Sequence, residues 1–153
     1  MGTLSSSLLP KDINLFLRST HPADALEEVL SGLRCDARVG DWGRLRDSLL
    51  NGSPIDCGPG EHGMIILHHR RTDSVSGLVL AAGRFPSPLA VEGCARPLRM
   101  LFVAAIPESL DNEYLRVIGA VSRICGNPES FGRLMQAADS GEFLDILQKG
   151  YPR

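Results

Sequence analysis

Between Pro97 and Pro107 the chain carries Leu98-Arg99-Met100-Leu101-Phe102-Val103-Ala104-Ala105-Ile106, an apolar run broken by a single charge. It reads as the clearest strand of the chain. It is far too short to cross a bilayer, which takes about 20 apolar residues, and Pro107 stops it. Residues 64–67 and 77–82 form two further apolar runs joined by a short polar connection. Upstream, Ile13, Leu15 and Leu17 alternate with Asn14, Phe16 and Arg18 at strand spacing.

Helical spacing fills the intervals. His21-Pro22 opens a helix, because proline suits a first helical turn, and Leu26, Val29, Leu30 and Leu33 give it one apolar stripe. Trp42, Leu45 and Leu49 mark a second helix that ends at Asn51-Gly52. Pro86, Pro88 and Pro97 read as a loop. Three helices close the chain. Leu115, Ile118, Val121 and Ile124 or Cys125 face inward on the first. Asn127-Pro128-Glu129 supplies a cap, a proline and an early acid for the next. Asp139 and Glu142 resemble a capping box for the last, with Phe143, Ile146 and Leu147 turned inward. Strands alternating with helices define an α/β fold, expected as a single domain over residues 1–153 with 1–10 flexible.

Composition narrows the function classes. The 153 residues carry a net charge of −2, so no basic surface points to nucleic acid or to an anionic membrane. Fourteen arginines stand against Lys11 and Lys149. Cys35, Cys57, Cys94 and Cys125 are widely spaced with no C-x-x-C pair, the pattern of reduced thiols in a cytosol. Residues 1–6 fit the loose myristoylation pattern, but nothing basic follows them, and the match is read as chance.

Chemistry concentrates in one stretch. Cys57-Gly58-Pro59-Gly60-Glu61-His62-Gly63 leads into Met64-Ile65-Ile66-Leu67, which ends in His68-His69-Arg70-Arg71. Imidazole is a nucleophile near neutral pH, and glycine-rich backbone with guanidinium groups suits a phosphoryl group. Gly58-x-Gly60-x-x-Gly63 matches the dinucleotide fingerprint only as a string, since that motif needs a strand before it and a helix after it. Cys57, His62, His68 and His69 fit no standard zinc spacing, and adjacent histidines on a strand point to opposite faces, so no metal is expected. No cofactor motif remains, and no G-x-S-x-G pattern is present.

The same residues resemble the phosphohistidine signature of the fructose/mannitol-type enzyme IIA domains of the sugar phosphotransferase system, including the nitrogen-regulatory branch. That signature runs S-T-G-x-G-x-G-I-A-I-P-H, then G or A, then R or K. Gly63-Met64-Ile65-Ile66-Leu67-His68 follows its second half without a gap. The resemblance implies His68 as the phosphorylated histidine, with His69 in its place if the strand is shifted by one residue, and Arg70 as the basic residue two beyond. Pro88-Leu89-Ala90-Val91-Glu92 is similar to the family's P-I-x-F-D turn. Pro97 to Val103 with Ile106-Pro107 is similar to its P-V-x-L-L-F-x-L…P strand. Glu113-Tyr114-Leu115-Arg116 takes the place of E-H-L-x, and residues 134–147 match the closing helix pattern. The implied fold is a mixed β-sheet sandwiched by helices, with His68 at a strand end near the start of the helix over residues 110–125.

Departures from the pattern bear on activity. Cys57-Gly58 replaces the S-T pair, Pro59 falls where a glycine is usual, and Leu67 replaces the proline before the histidine. Tyr114 stands where the family places a second histidine, and Gly52-Ser53 occupies the region of its Arg-Glu pair. Losing one oriented donor around a developing charge costs on the order of 3 kcal/mol. Arg70, Tyr114, His69 and the loop amides at Gly60 and Gly63 are the remaining candidates to stabilise a phosphoryl group. Two functions follow from the resemblance. One is a cytoplasmic phosphocarrier that accepts a phosphoryl group on His68 from an HPr-like protein. It would pass or report that group to an enzyme IIB or a regulated transporter or kinase. The other is a non-transferring regulatory module whose altered site contacts a protein or an anion. A regulatory purpose fits either better than sugar uptake.

Overall fold

The computed structural model describes residues 8–52, 54–60, 63–109 and 111–150, without the side chains of Asp111, Glu113, Tyr114, Val117 and Lys149. Its elements are β1 (Leu8–Asn14), α1 (Pro22–Ser31), α2 (Trp42–Leu50), β2 (Ile55–Asp56), β3 (Met64–Arg71), β4 (Val79–Leu89), β5 (Leu98–Ile106), α3 (Asp111–Gly126), α4 (Pro128–Gln136) and α5 (Ser140–Gly150). The strands form one sheet in the order β1-β4-β5-β3-β2. β1 runs parallel to β4 and β3 parallel to β5, whereas the β4–β5 and β2–β3 pairs are antiparallel. The sheet is therefore mixed, as expected.

Its two faces bury separate cores, because side chains alternate across each strand. Leu26, Val29, Leu30, Leu45 and Leu49 of α1 and α2 cover Val79, Ala81, Leu101, Val103 and Ala105. Val121, Ile124, Phe131, Leu134, Phe143 and Leu147 of α3 to α5 cover Ile65, Leu67, Met100, Phe102 and Ala104. β5, the most central strand, is buried along almost its whole length, which explains why its sequence barely alternates.

The local start signals act as read. Asn127 accepts hydrogen bonds from the amides of Glu129 and Ser130 at 2.9 and 3.1 Å. Asp139 accepts from Glu142 N at 2.8 Å, and Glu142 reaches back to Ala138 N at 3.1 Å. Asp41 caps α2 through Arg44 N at 3.0 Å. His21 makes no capping bond, so Pro22 alone marks the start of α1.

Two segments differ from their sequence reading. The first strand begins at Leu8, within the stretch expected to be flexible, and ends at Asn14. Leu8 is 1% exposed; Pro10 is tolerated because β1 is an edge strand. β4 runs through Pro86 and Pro88, which read as loop in the sequence. They lie past its last pairing with β1, at Gly83, and in the interruption of its pairing with β5 between Arg84 and Leu89. Neither proline displaces a ladder bond there. No helix among the described residues is long and apolar enough to cross a membrane.

Candidate functional site

The two histidines of β3 part company. From Ile65 to Arg71 its register with β5 is unbroken, and it pairs Leu67 with Phe102, His68 with Val103 and His69 with Ala104. Leu67, Phe102 and Ala104 belong to the core beneath α3 to α5, and Val103 to the core beneath α1 and α2. His69 therefore points to the α3 side, and His68 to the opposite side.

His68 lines an apolar cleft of about 310 Å³ together with Leu26 of α1, Leu50 at the end of α2, Pro54, Met64, Ile66 and Val91. Its Nδ1 is buried and has no hydrogen-bond partner among the described residues. Burial, with a smaller contribution from His69, pushes its pKa down to about 4. His68 is thus a neutral imidazole at physiological pH, in surroundings that would desolvate any anion placed there. The sequence reading sets it near the start of α3; alternation along the strand turns its side chain to the α1–α2 face of the sheet.

His69 occupies the α3 side. Burial, then the nearby Arg70 charge, lower its pKa, so it too is neutral near pH 7. Because β3 and β5 are parallel, the C-terminal end of β3 lies beside the end of β5, from which the chain turns directly into α3. Arg71, on the same side as His69, donates from Nη2 to Glu108 O at 3.3 Å in that turn. Arg70 is exposed at the strand end. Tyr114 falls in the first turn of α3; its side chain lies outside the described residues.

The glycine loop sits at the other end of β3. Met64 and His68 are four steps apart, roughly 13 Å at about 3.3 Å per residue. Cys57 N donates to Ile65 O at 2.9 Å, and Gly58 N to Asp56 Oδ1 at 3.0 Å. Gly60 N donates to Gly58 O at 3.0 Å, and Gly63 N to Gly60 O at 3.2 Å. Among the described loop residues every backbone N–H is spent within the fold. Arg96 draws the carbonyls inward, donating to Gly60 O at 2.8 Å and Gly63 O at 3.3 Å while pairing with Asp56. Gly60 and Gly63 have φ values of 63° and 133°, and a Cβ on Gly58 would lie 2.4 Å from Gly63 O. The glycines thus serve the turn itself, and the described amides expected to cradle an anion are not free to do so. Arg96 was not singled out in the sequence, since nothing in its surroundings there links it to a loop 33 to 36 residues earlier.

No group of three or more metal-ligating side chains occurs among the described residues. Cys57 and Cys125 are buried, Cys35 and Cys94 exposed, and all four are free thiols.

Residues 53–150 match the profile of a family described as phosphoenolpyruvate-dependent sugar phosphotransferase system, EIIA 2. No curated protein matches the chain. Among solved structures, the nitrogen regulatory protein IIA-Ntr from Neisseria meningitidis superposes with a TM-score of 0.79 at 19% identity, covering 94% of this chain and 98% of that one. Enzyme IIA mannitol from Escherichia coli gives a TM-score of 0.71 at 17% identity, with 90% and 96% covered. The complex of the E. coli mannitol enzyme IIA with phosphorylated enzyme IIB gives 0.64 at 16% identity, with 94% and 98% covered.

Proposed function

The chain belongs to the EIIA 2 family of the phosphoenolpyruvate-dependent sugar phosphotransferase system, and from that premise we propose that it is a regulatory phosphocarrier whose acceptor is His69. The observation that carries this reading is the parity of β3. His69 lies on the α3 side at the end of the sheet where α3 begins, the neighbourhood in which the family resemblance expects a second site residue and where this chain has Tyr114. His68, the acceptor by count from Gly63, faces an apolar cleft instead.

The chemistry asks for a neutral imidazole, a nearby cation and room for an in-line donor. A lone pair of the His69 ring attacks phosphorus, a new P–N bond forms, and the donor's bond to phosphorus breaks with its electron pair returning to the donor. Arg71, on the same side of β3 as His69, offers charge to the transferred oxygens, and the Arg70 charge, though turned to the His68 side, also reaches the ring. An HPr-like protein is the donor this reading requires. The likeness to a IIA–IIB complex supports an enzyme IIB-like or regulated target as the receiver. The likeness to IIA-Ntr supports a regulatory rather than a sugar-specific role, and a cytoplasmic location goes with both.

A second reading rests on the loop. Its described amides are spent, and Cys57-Gly58 replaces the hydroxyl pair of the family signature. With few donors left for a phosphoryl group, the same surface would act by docking a partner without transfer.

Phosphoryl transfer from phosphoenolpyruvate through enzyme I and HPr of the same organism separates the readings. The adduct is followed by mass spectrometry under alkaline conditions. Acid-labile phosphate lost in His69→Ala and retained in His68→Ala supports the His69 carrier. Loss only in His68→Ala returns the acceptor to His68. No adduct on folded protein, with the donor chain active on a control, establishes the docking module.

A further inference from the structure

We infer that the cleft beside His68 is a binding site for a compact, uncharged, mostly apolar small molecule that carries one hydroxyl. The cleft holds about 310 Å³ and draws its walls from separate elements: Leu26 of α1, Leu50 of α2, Ile66 of β3 and Leu101 of β5 all line it. Leu26 and Leu101 are fully buried members of the core beneath α1 and α2, so the floor of the cleft is core. Leu50 and Ile66 are only partly buried against that core. Protein interiors pack to the density of organic crystals. Apolar side chains that face an unfilled space of this size forgo contacts that an apolar guest would supply.

Three properties of the lining define the guest. The first is size: the cleft falls at the lower end of the range of small-molecule pockets, which begins at about 300 Å³, and so suits a compact molecule. The second is charge. No aspartate, glutamate, lysine or arginine lines the cleft, so an ion would lose its hydration there and gain no partner. The third is hydrogen bonding. His68 is the one lining side chain able to make a strong hydrogen bond, the sulfurs of Met64 and Cys94 being weak partners. Its Nδ1 is sealed from water without a partner among the described residues, which leaves Nε2 as the polar handle of the ring. In a neutral imidazole Nε2 donates or accepts according to the tautomer. A hydroxyl serves either case, because it carries both a donor and acceptor lone pairs, whereas a carbonyl serves only one.

This site is separate from the proposed phosphoryl acceptor. His69 follows His68 on β3 but lies on the side covered by α3 to α5, so the guest and a phosphoryl group would occupy different faces of the sheet. The inference does not use the acceptor assignment, and its test involves no phosphoryl donor.

The test titrates the isotope-labelled full chain with para-cresol, toluene and para-toluate, three probes of similar shape that differ in their polar group, and follows amide resonances by NMR. The expected result is that para-cresol shifts the amides of Ile66, His68 and Leu101 saturably. Toluene should move the same amides with about tenfold weaker affinity, the scale of one hydrogen bond, and para-toluate should leave them in place. In His68→Phe, which keeps an aromatic ring and removes its nitrogens, the two neutral probes should bind alike; His68→Leu repeats the comparison with a second apolar replacement. Ile66→Trp fills the cleft and should abolish binding of both, with dispersed spectra establishing that each variant is folded. Absence of saturable shifts, shifts confined to residues elsewhere, or equal affinity of para-cresol and toluene for the unmodified protein would overturn the inference. Tightest binding by para-toluate would make the cleft an anion site and overturn it as well. So would movement of the cleft amides on diluting the protein without any probe, which would assign the cleft to a second copy of the chain.

Discussion

His68 and His69 are consecutive in the chain and lie on opposite faces of the sheet: His68 pairs in register with Val103 of the α1–α2 core, and His69 with Ala104 of the α3–α5 core. One residue of displacement along β3 therefore separates an imidazole in an apolar cleft from one on the side covered by α3 to α5. The two substitutions should have separable consequences. His69→Ala is expected to abolish phosphoryl acceptance, by at least about 100-fold in rate, the scale on which loss of a catalytic group is felt. His68→Ala should leave acceptance within a few-fold. Single-turnover transfer from phosphorylated HPr, quenched in alkali, measures both.

The burial of His68 makes stability depend on pH in a definite direction. Its pKa is about 4 in the folded protein, against an ordinary value of 6.5. As pH falls, the unfolded chain takes up this proton first, so the neutral folded form loses stability between about pH 6.5 and 4. The loss on the His68 account is at most about 3 kcal/mol. His69, also lowered, adds in the same sense. Asp36 acts in a separate window. Its carboxylate is held below the usual range chiefly by Arg38, and that contribution fades only below about pH 4. Urea midpoints measured from pH 7 to 4 should fall less steeply in His68→Leu than in the unmodified protein. Parallel slopes would remove His68 from the account.

Much of this arrangement was legible in the residues, for identifiable reasons. Caps act over three or four residues, so Asn127, Asp139 and Glu142 announced their helices correctly. β5 announced itself because burial on both faces leaves an unbroken apolar run. What escaped depends on partners distant in sequence. Pro86 and Pro88 read as loop because their tolerance comes from where pairing to β1 and β5 lapses. The faces of His68 and His69 depend on which helices cover each side of β3, and those helices are distant from it in sequence. The loop's closure by Arg96 was invisible for the same reason.

The loop glycines form a graded series that tests this closure. Gly60 has φ 63° with open space where a Cβ would go, so Gly60→Ala should cost about 1 kcal/mol of backbone strain. At Gly63, φ is 133° and a Cβ would sit 2.5 Å from Arg99 Cγ, a side-chain atom able to move; about 2 kcal/mol is expected. At Gly58 the Cβ would meet backbone, Gly63 O at 2.4 Å and Ile65 N at 2.8 Å, and backbone cannot swing aside. Gly58→Ala should therefore be the most damaging, about 3 kcal/mol. Denaturant midpoints of the three variants should follow the order 60, 63, 58 from least to most affected. Equal effects would mean the loop rearranges freely.

A last prediction concerns the buried carboxylates that link β1 to the segment after α1. Asp12 and Asp36 are almost wholly shielded, and Arg38 grips Asp36 through two bonds of 2.9 and 2.7 Å while reaching Asp12 at 3.4 Å. The same guanidinium donates to Leu78 O at 3.0 Å, just before β4. Lys11 touches both carboxylates as well, at 3.0 and 3.1 Å, but its side chain is 56% exposed. The two cations thus differ in what they leave behind. Arg38→Met strips the buried pair of its main partner and should cost about 3–5 kcal/mol. Lys11→Met removes a solvated charge whose place water can take, and should cost under about 1 kcal/mol. In Arg38→Met the surviving carboxylates repel each other, so lowering the pH toward 4 should recover part of the loss, opposite to the trend set by His68. Equilibrium unfolding in urea at pH 7 and at pH 4.5 reads both effects, and equal losses for the two variants would show that Lys11 shares the burden equally.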